Sequence, residues 1–495
     1  MTIYTLVLYI AIVAVVLTVG VGFWKKRHKN WLMTYLQNFT GALFIFSGWV
    51  KAVDPLGTAY KLEQYFAEFE LTFEGTWFSF LSPLFPWLAE YAVGFSIFMI
   101  VFEIVLGIML IMGMRTKFTS WAFLLLVGFF TFLTGFTFLT GYVPSGSNFF
   151  SFSEWGAYKE TNMRVTDCGC FGDFIKLEPR TSFFKDVFLL FPAFYFVFKH
   201  KDMHQLFTEK IRNGIAIVST VGLLVYCFSN YAWDIPHADF RPFKKGADVA
   251  TQYDAEVQAM ANVRITAWKL KNKESGKVVE LSNEVYMKEF KNYPKAEWEV
   301  IDQVQTEPEV AKTKISDFEI ETLDGDYGTD EFLRSQGYKI MIVSHKVKGD
   351  AVKKMRTVID TTYQIDTTLQ DDGTMKVVRS IKDTQERAED YYDYEWDESW
   401  QKDYTEIVKP FISAAAQQNI VTGVVAGGAS PEMLNDLEGE VGLGATYYMA
   451  DDILLKTIVR SNPGVVLWKD GTIIDKWHKK KLPEWSEVAN RYKIN

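Results

Sequence analysis

Six long apolar stretches dominate the first half of this 495-residue chain, and they constrain its fold more than anything else in it. They cover residues 3–24, 31–50, 91–114, 118–142, 183–198 and 211–233. A helix of about 20 apolar residues spans the roughly 30 Å hydrocarbon layer of a bilayer. The fifth run is short and carries Pro192, which neighbouring helices can accommodate. The second half is charged and ordinary, so the excess behind the 16% aromatic content lies in the first half. The expected fold class is therefore multi-domain: an α-helical transmembrane bundle of six spans, followed by a non-membrane α/β region. A net charge of -9 argues against nucleic acid as a partner. Three cysteines are too few for a disulfide scaffold.

Orientation follows from loop charge. No basic residue precedes the first run, and Lys25-Lys26-Arg27-His28-Lys29 follows it, which fits a permanent anchor better than a cleaved signal. Arg115 and Lys117 follow the third run; Lys199, Lys201, Lys210 and Arg212 follow the fifth. If every run spans, these groups share the cytoplasmic side. The N-terminus, the loop around residues 167–173 and the whole C-terminal half then lie outside. In a bacterial inner membrane that is the periplasm, where disulfides persist.

That loop reads Asp167-Cys168-Gly169-Cys170-Phe171-Gly172-Asp173. Cysteines two positions apart can approach within the roughly 4.4–6.8 Å that a disulfide needs, and the intervening Gly permits the tight turn. The pair is a candidate redox couple; a tight structural loop or half a metal site are the plainer alternatives. Cys227, near the outer end of the sixth run, is a candidate resolving thiol or an inert buried one. Glu103 lies mid-way along the third run, where an ionised carboxylate costs about 2.5–3.5 kcal/mol on insertion scales. It must be protonated, paired or turned to a polar cavity, either as a proton or quinone contact or as a helix-joining hydrogen bond. Lys51 can reach toward it, although snorkelling to the surface is the simpler expectation. Residues 52–90 read as an interfacial helix around 60–69 with an aromatic belt, placed to cover the cysteine loop.

The run Gly41-Ala42-Leu43-Phe44-Ile45-Phe46-Ser47-Gly48-Trp49-Val50-Lys51 with Asp54-Pro55, and Glu103 with Gly107 and Gly113, resembles the DoxX family. Cys168-Gly169-Cys170-Phe171-Gly172 resembles the cysteine loop of the related methylamine-utilisation MauE proteins. The resemblance covers about residues 31–200 and implies a four-helix unit, similar in layout to quinone-coupled thiol oxidoreductases of the DsbB and vitamin K epoxide reductase type. It implies Cys168 and Cys170 as redox residues, Glu103 and Lys51 as quinone or proton contacts, and a quinone as possible cofactor; Cys227, beyond its reach, is a candidate by position alone. Those oxidoreductases usually carry a C-x-x-C pair and a second pair; here there is one C-x-C and a single further cysteine.

Beyond the sixth run, the expected divisions are a linker and small β-rich region over 234–314 and an α/β domain over 315–495. The first contains a hairpin signal at 263–281, turning at Ser275-Gly276. In the second, residues 338–344 read as a buried strand, 404–418 as a helix and 420–426 as a strand. Asn462-Pro463 then opens a strand that turns at Asp470-Gly471. A proline at the head of a strand, with Gly eight positions on, resembles thioredoxin-like domains of the thiol-peroxidase and TlpA branch. Where that resemblance expects cysteines, after the 338–344 strand, stand His345-Lys346-Val347-Lys348, and no cysteine follows Cys227. A thiolate is the required nucleophile, so this domain exchanges no disulfides. An insertion over 353–400 contains a hairpin at Asp371-Asp372-Gly373 and an acidic-aromatic segment. There Tyr391, Tyr394 and Trp396, with Asn462 and Pro463 elsewhere, are candidate client-binding residues; a solvated excursion is the alternative. No metal-ligand spacing is present.

Two readings stand. One is an inner-membrane thiol-redox or redox-accessory protein. The other is a non-enzymatic membrane subunit whose cysteine-free domain docks a periplasmic protein or membrane complex.

Overall fold

The computed structural model describes residues 2–24, 29–165, 169–369 and 375–494. The basic residues at 25–28, Asp167 and Cys168, and the Asp371-Asp372-Gly373 turn lie outside the described residues. The chain divides into two compact units. The first is Met1–Phe318 with Thr457–Ser461 and Gly471–Lys481; the second is Glu319–Lys456 with Asn462–Asp470 and Leu482–Asn495. The main chain first passes from the first unit to the second between Phe318 and Glu319. Two short stretches of the expected C-terminal domain nevertheless cluster with the first unit.

The first unit is a helical bundle. Its helices are α1 (Ile3–Val19), α2 (Trp31–Val53), α3 (Pro55–Phe73), α4 (Leu84–Glu90), α5 (Ala92–Met112), α6 (Thr116–Thr140), α7 (Pro179–Lys199) and α8 (Glu209–Phe228). Among the described residues, five helices are long and apolar enough to cross a membrane: Ile3–Phe23, Ala92–Met112, Thr116–Thr140, Pro179–Asp202 and Glu209–Trp233. Leu125, Phe191 and Val218 are 70–72% exposed on the bundle exterior, a surface suited to lipid rather than water.

The remaining expected run, the second in chain order, is α2, which is long enough to span but is not among these five. Its composition is diluted by polar residues that face protein. Gln37 donates to the carbonyl of Leu110 at 3.0 Å and accepts from the His204 N–H at 2.9 Å. Asn38 donates to Thr18 at 3.0 Å. Buried polar groups must find partners, and these do so across helices.

α2 packs on α1 and α5, α6 on α7, and α8 on α5. The α2–α5 crossing is close. A Cβ on Gly107 would lie 2.7 Å from the Gly41 carbonyl oxygen and 2.9 Å from Ile45 Cγ1. Small residues at such crossings let backbones approach, the main source of helix association in lipid. α3 is N-capped by Asp54 and buries Leu62, Tyr65, Phe66 and Phe69 against the bundle. A helix thus occupies the stretch where one was expected, and it is longer than the apolar patch.

After the bundle, α9 (Val249–Ala261) occupies a stretch that the sequence pattern suggested as alternating from residue 253. β1 (Ile265–Asn272) and β2 (Val278–Ser282) form the expected antiparallel pair, followed by α10 (Asn283–Glu289). β3 (Trp298–Gln305) completes a three-stranded sheet in the order β2-β1-β3.

The second unit has β4 (Glu321–Thr322), α11 (Asp330–Leu333), β5 (Tyr338–Ser344), β6 (Gly349–Leu369) and β7 (Met375–Trp396). After these come α12 (Glu398–Lys402), α13 (Lys409–Ala416), β8 (Val421–Gly427), α14 (Pro431–Val441), β9 (Thr446–Ala450), α15 (Asp452–Ile458) and β10 (Gly464–Lys469). β11 (Thr472–His478) belongs to the first unit and α16 (Trp485–Tyr492) to the second. The second unit's sheet runs β10-β5-β8-β9-β4. β5, β8 and β9 are parallel, whereas β10 and β4 are antiparallel to their neighbours. β5 matches its expected span, its buried Ile340, Met341, Ile342 and Val343 being the apolar run itself. The 404–418 helix is in fact a π-helical turn, Asp403–Val408, continued by α13. α14 and β9 were not expected.

Replacing Gly107 with Val should lower the melting temperature of the detergent-solubilised chain, at a destabilisation of about 1–3 kcal/mol. Gly128→Ala, at a position with nothing within 4 Å of the added Cβ, should leave it nearly unchanged.

Candidate functional site

The expected site residues Lys51, Glu103 and Cys170 come together in one cavity between α2, α3, α5, α6, α7 and the cysteine loop. The space within it open to a water-sized molecule is about 60 Å³. Its walls are mainly apolar and aromatic, with Phe44, Phe129, Phe130 and Phe171 among them.

Lys51 does not snorkel. Its Nζ lies 2.7 Å from Glu103 Oε2, with side chains only 7% and 2% exposed. The ammonium also sits 4.7 Å from the centre of the Phe130 ring. The surface expectation fails because the nearest partner for each charge is the other one, and the cavity lets both stay off the lipid. A second acid–base pair shares the space. Asp186, 2% exposed, accepts from Lys185 Nζ at 2.6 Å and from Thr134 Oγ1 at 3.0 Å.

The loop is shaped by its glycines. Gly169 and Gly172 have φ of +61° and +50°, a region costly for side chains with a Cβ. The Gly172 N–H donates to the Gly169 carbonyl at 3.1 Å, closing a turn around Cys170 and Phe171. Phe171 is buried in the bundle core, and Lys185 Nζ lies 5.7 Å from its ring centre. The Cys170 carbonyl accepts from Ser47 Oγ at 3.0 Å, and its Sγ lies 3.0 Å from Ser182 Oγ. The half-buried thiol is thus tied to α2 and α7, and it opens on the cavity. Lys61, Leu62 and Tyr65 of α3 line the same space, so the interfacial helix does border the loop as expected.

Cys227 stands apart. It is fully buried among Ala52, Ile97, Ile100, Val101 and Ile104, and it does not line the cavity. The structure therefore brings together three of the five bundle residues expected at the site. It separates Cys227 from them, and Cys168 lies outside the described residues.

A further cluster belongs to the first unit. Asp54 ends α2 and accepts from Arg460 Nε at 2.9 and 3.0 Å, with Arg460 Nη2 at 2.8 Å. Arg460 Nη2 also lies 3.8 Å from Asp173, the residue after the cysteine motif. The guanidinium covers Tyr60 at 5.1 Å. Burial works to raise the Asp54 pKa, but Arg460 and Arg241, with hydrogen bonds from Arg460 and the Gly57 N–H, hold it below the ordinary 3.8. Lys476 of β11 is bound nearby in the chain's fold by Asp239 at 2.5 Å and by the carbonyls of Phe243 and Ile458 at 2.8 and 2.9 Å. These contacts seat the Thr457–Ser461 and Gly471–Lys481 stretches in the first unit.

In the second unit, Asn462 and Pro463 share a cis peptide bond. Asn462 accepts from Ser344 Oγ at 3.0 Å and donates to the Lys346 carbonyl at 2.6 Å. The amide thus bridges the end of β5 to the head of β10, where the thioredoxin resemblance expects a groove. Tyr391, Tyr394 and Trp396 do not form one patch. Tyr391 pairs across the ribbon with Lys354, whereas Tyr394 pairs with Ala351 and Trp396 with Gly349, on the opposite face. Trp396 is engaged internally, donating to Asp436 at 2.8 Å and stacking on Trp400 at 5.7 Å.

Sequence reasoning missed Lys185 and Asp186, although the rule that flagged Glu103, a charge within an apolar run, applies equally to them. It also missed Arg460, for which no local signal exists: 406 residues separate it from Asp54. Among the described residues no group of three or more His, Cys, Asp or Glu is arranged to hold a metal. Comparison of the chain with family models, with curated proteins and with solved structures returns no match in any of the three.

Lys51→Met should destabilise the bundle by about 3–5 kcal/mol, because it strands a buried carboxylate, while Lys51→Met/Glu103→Leu should recover most of that loss. Thermal melts in detergent compare the two. The Asp54 carboxyl, with a folded pKa below 3.8, adds stability that is complete above that value and is lost as the pH falls through the folded pKa. The gap in melting temperature between the native chain and Asp54→Asn should accordingly hold from pH 7 to about 5 and close below about 4.

Proposed function

We propose that this chain is a multi-pass protein of a bacterial inner membrane, with α2 as a sixth span and the cysteine loop and C-terminal unit in the periplasm. In this reading Cys168 and Cys170 are a redox pair. Oxidation of the dithiol breaks two S–H bonds and forms one S–S bond. The two electrons and two protons convert a quinone to its quinol, or reduce the disulfide of a periplasmic client. The observation that carries the reading is the convergence of Cys170, Lys51–Glu103 and Lys185–Asp186 on one aromatic-walled cavity. Ligand pockets are typically apolar, with a few placed polar groups. A quinone ring suits Phe44, Phe129 and Phe130, and its carbonyl oxygens suit lysine donors.

A second reading is favoured by the absence of cysteine after Cys227. The second unit then has a thioredoxin-like fold without thiol chemistry and serves as a docking module, its client meeting Asn462 and Pro463. Support comes from the parallel β5-β8-β9 core, the antiparallel β10 with Pro463 at its head, and Ser344-His345 where a cysteine motif would stand. The redox-accessory reading accommodates both observations.

In membranes isolated without reductant, Cys168 and Cys170 should resist alkylation and become reactive after dithiothreitol. A soluble quinol should shift the labelled fraction in the same direction. Free labelling of both thiols before reduction would overturn the redox reading. A Cys168→Ser/Cys170→Ser chain that still co-purifies its periplasmic client would favour the docking reading.

A further inference from the structure

β6 and β7 form a two-stranded antiparallel ribbon in which 21 residue pairs run from Gly349–Trp396 to Leu369–Met375. At roughly 3.3 Å per residue its length is about 70 Å. A two-stranded ribbon in water is marginal by itself and needs a further strand or a packed face. The pairing register decides what each face carries, because directly opposed residues share a face.

One face is charged and internally satisfied. Arg356 meets Glu389 at 3.1 Å, Arg387 meets Asp360 at 2.6 Å, and Lys354 meets Asp393. The other face is apolar and bare. Met355, Ile359, Ile365 and Ile381 are 59–74% exposed there, with threonines between them. The charges at its paired positions balance in number, two basic against two acidic. Lys353 lies 2.7 Å from Asp390, and the Arg379 guanidinium lies 3.7 Å from the Tyr363 ring centre. Lys353 and Arg379 against Glu386 and Asp390 leave that face with no net charge.

We infer that this apolar face is a contact between two copies of the chain, each ribbon laid on the same face of the other. A neutral surface whose charges balance in number offers nothing to a strongly acidic or basic partner. It does not repel itself, and a second copy supplies an apolar face of equal length. The base of this face, at Gly349 and Trp396, is covered by the second unit itself, so the bare part runs from Lys353 to Leu369, about 55 Å. At about 10 Å wide it is roughly 550 Å² per copy, or about 1,100 Å² in total, just above the roughly 1,000 Å² that a specific interface needs. Like faces meeting about a two-fold axis are the commonest form of homo-oligomer contact. The inference is independent of the redox reading.

The test uses the full chain in detergent micelles, with protein mass from light scattering. The native chain should give twice its 56.9 kDa. Ile359→Lys/Ile381→Lys should halve that mass with no change in far-UV circular dichroism, while Val358→Lys, on the charged face, should leave it intact. Thr361→Cys should yield a reducible covalent dimer beyond any formed by the unmodified chain, and Thr362→Cys should not. A native chain of single mass, or a double-lysine variant that remains double, overturns the inference. So does a single-mass chain whose Thr361→Cys thiol is shielded from a soluble maleimide in phosphatidylcholine vesicles but not in detergent. That outcome assigns the face to lipid.

Discussion

The Lys51–Glu103 pair is the interaction around which the bundle is arranged. Each charge is nearly inaccessible, and an isolated ion in such surroundings is penalised by several kcal/mol. The pair is tolerable only because 2.7 Å separates the two atoms and because the space beside them is polar on one side. That separation requires α2 and α5 to stand close, which the Gly41–Gly107 contact permits. The ion pair and the glycine crossing are thus one constraint seen twice: bulkier residues at the crossing would pull the charges apart. A pair of packed apolar residues would serve stability equally well. The presence of charge therefore asks for another role, and the adjacent cavity, shared with Lys185, Asp186 and Cys170, is the physical reason to place that role there.

The same logic explains α2. A helix that faced lipid could not afford Gln37, Asn38 and Lys51, each of which needs a partner in the absence of water. All three are buried and bonded to neighbouring segments. Low mean hydropathy in this helix is the signature of an inner position. Hydropathy alone detects five helices and passes over α2, whose polar residues face protein.

Legibility in the sequence tracked the range of the interactions involved. The bundle helices, β5, β8 and the β1–β2 hairpin were readable because each is declared by an apolar run, an alternation or a turn within about a dozen residues. α9 was missed because Val249, Glu256 and Ala259 form a buried stripe only at helical spacing, and polar residues between them imitate alternation. β9 was missed because Thr446–Ala450 is only five residues long and has no apolar–polar alternation of its own. At the site, Glu103 announced itself by being charged in an apolar run, but its partner did not. Lys51 had two outlets, and only the α2–α5 approach decides between them. Arg460 meeting Asp54 is beyond any local pattern, since only the closed fold places those side chains together.

Cys227 limits how the proposed chemistry can run. Oxidoreductases with two cysteine pairs pass a disulfide internally before it meets the quinone. A relay of that kind needs a thiol within bonding reach of the first pair and able to ionise. Cys227 does not offer that to Cys170: it is sealed in an aliphatic cluster with Ile97, Val101 and Ile104, and the cavity that Cys170 lines does not reach it. In the redox reading the couplet must therefore exchange electrons directly with whatever enters the cavity or docks over the loop. Such an arrangement needs only one disulfide bond and no resolving thiol. It also makes the seating of Asp173 and Asp54 by Arg460 consequential, because that contact holds the residue that follows the couplet while a second molecule reacts with it.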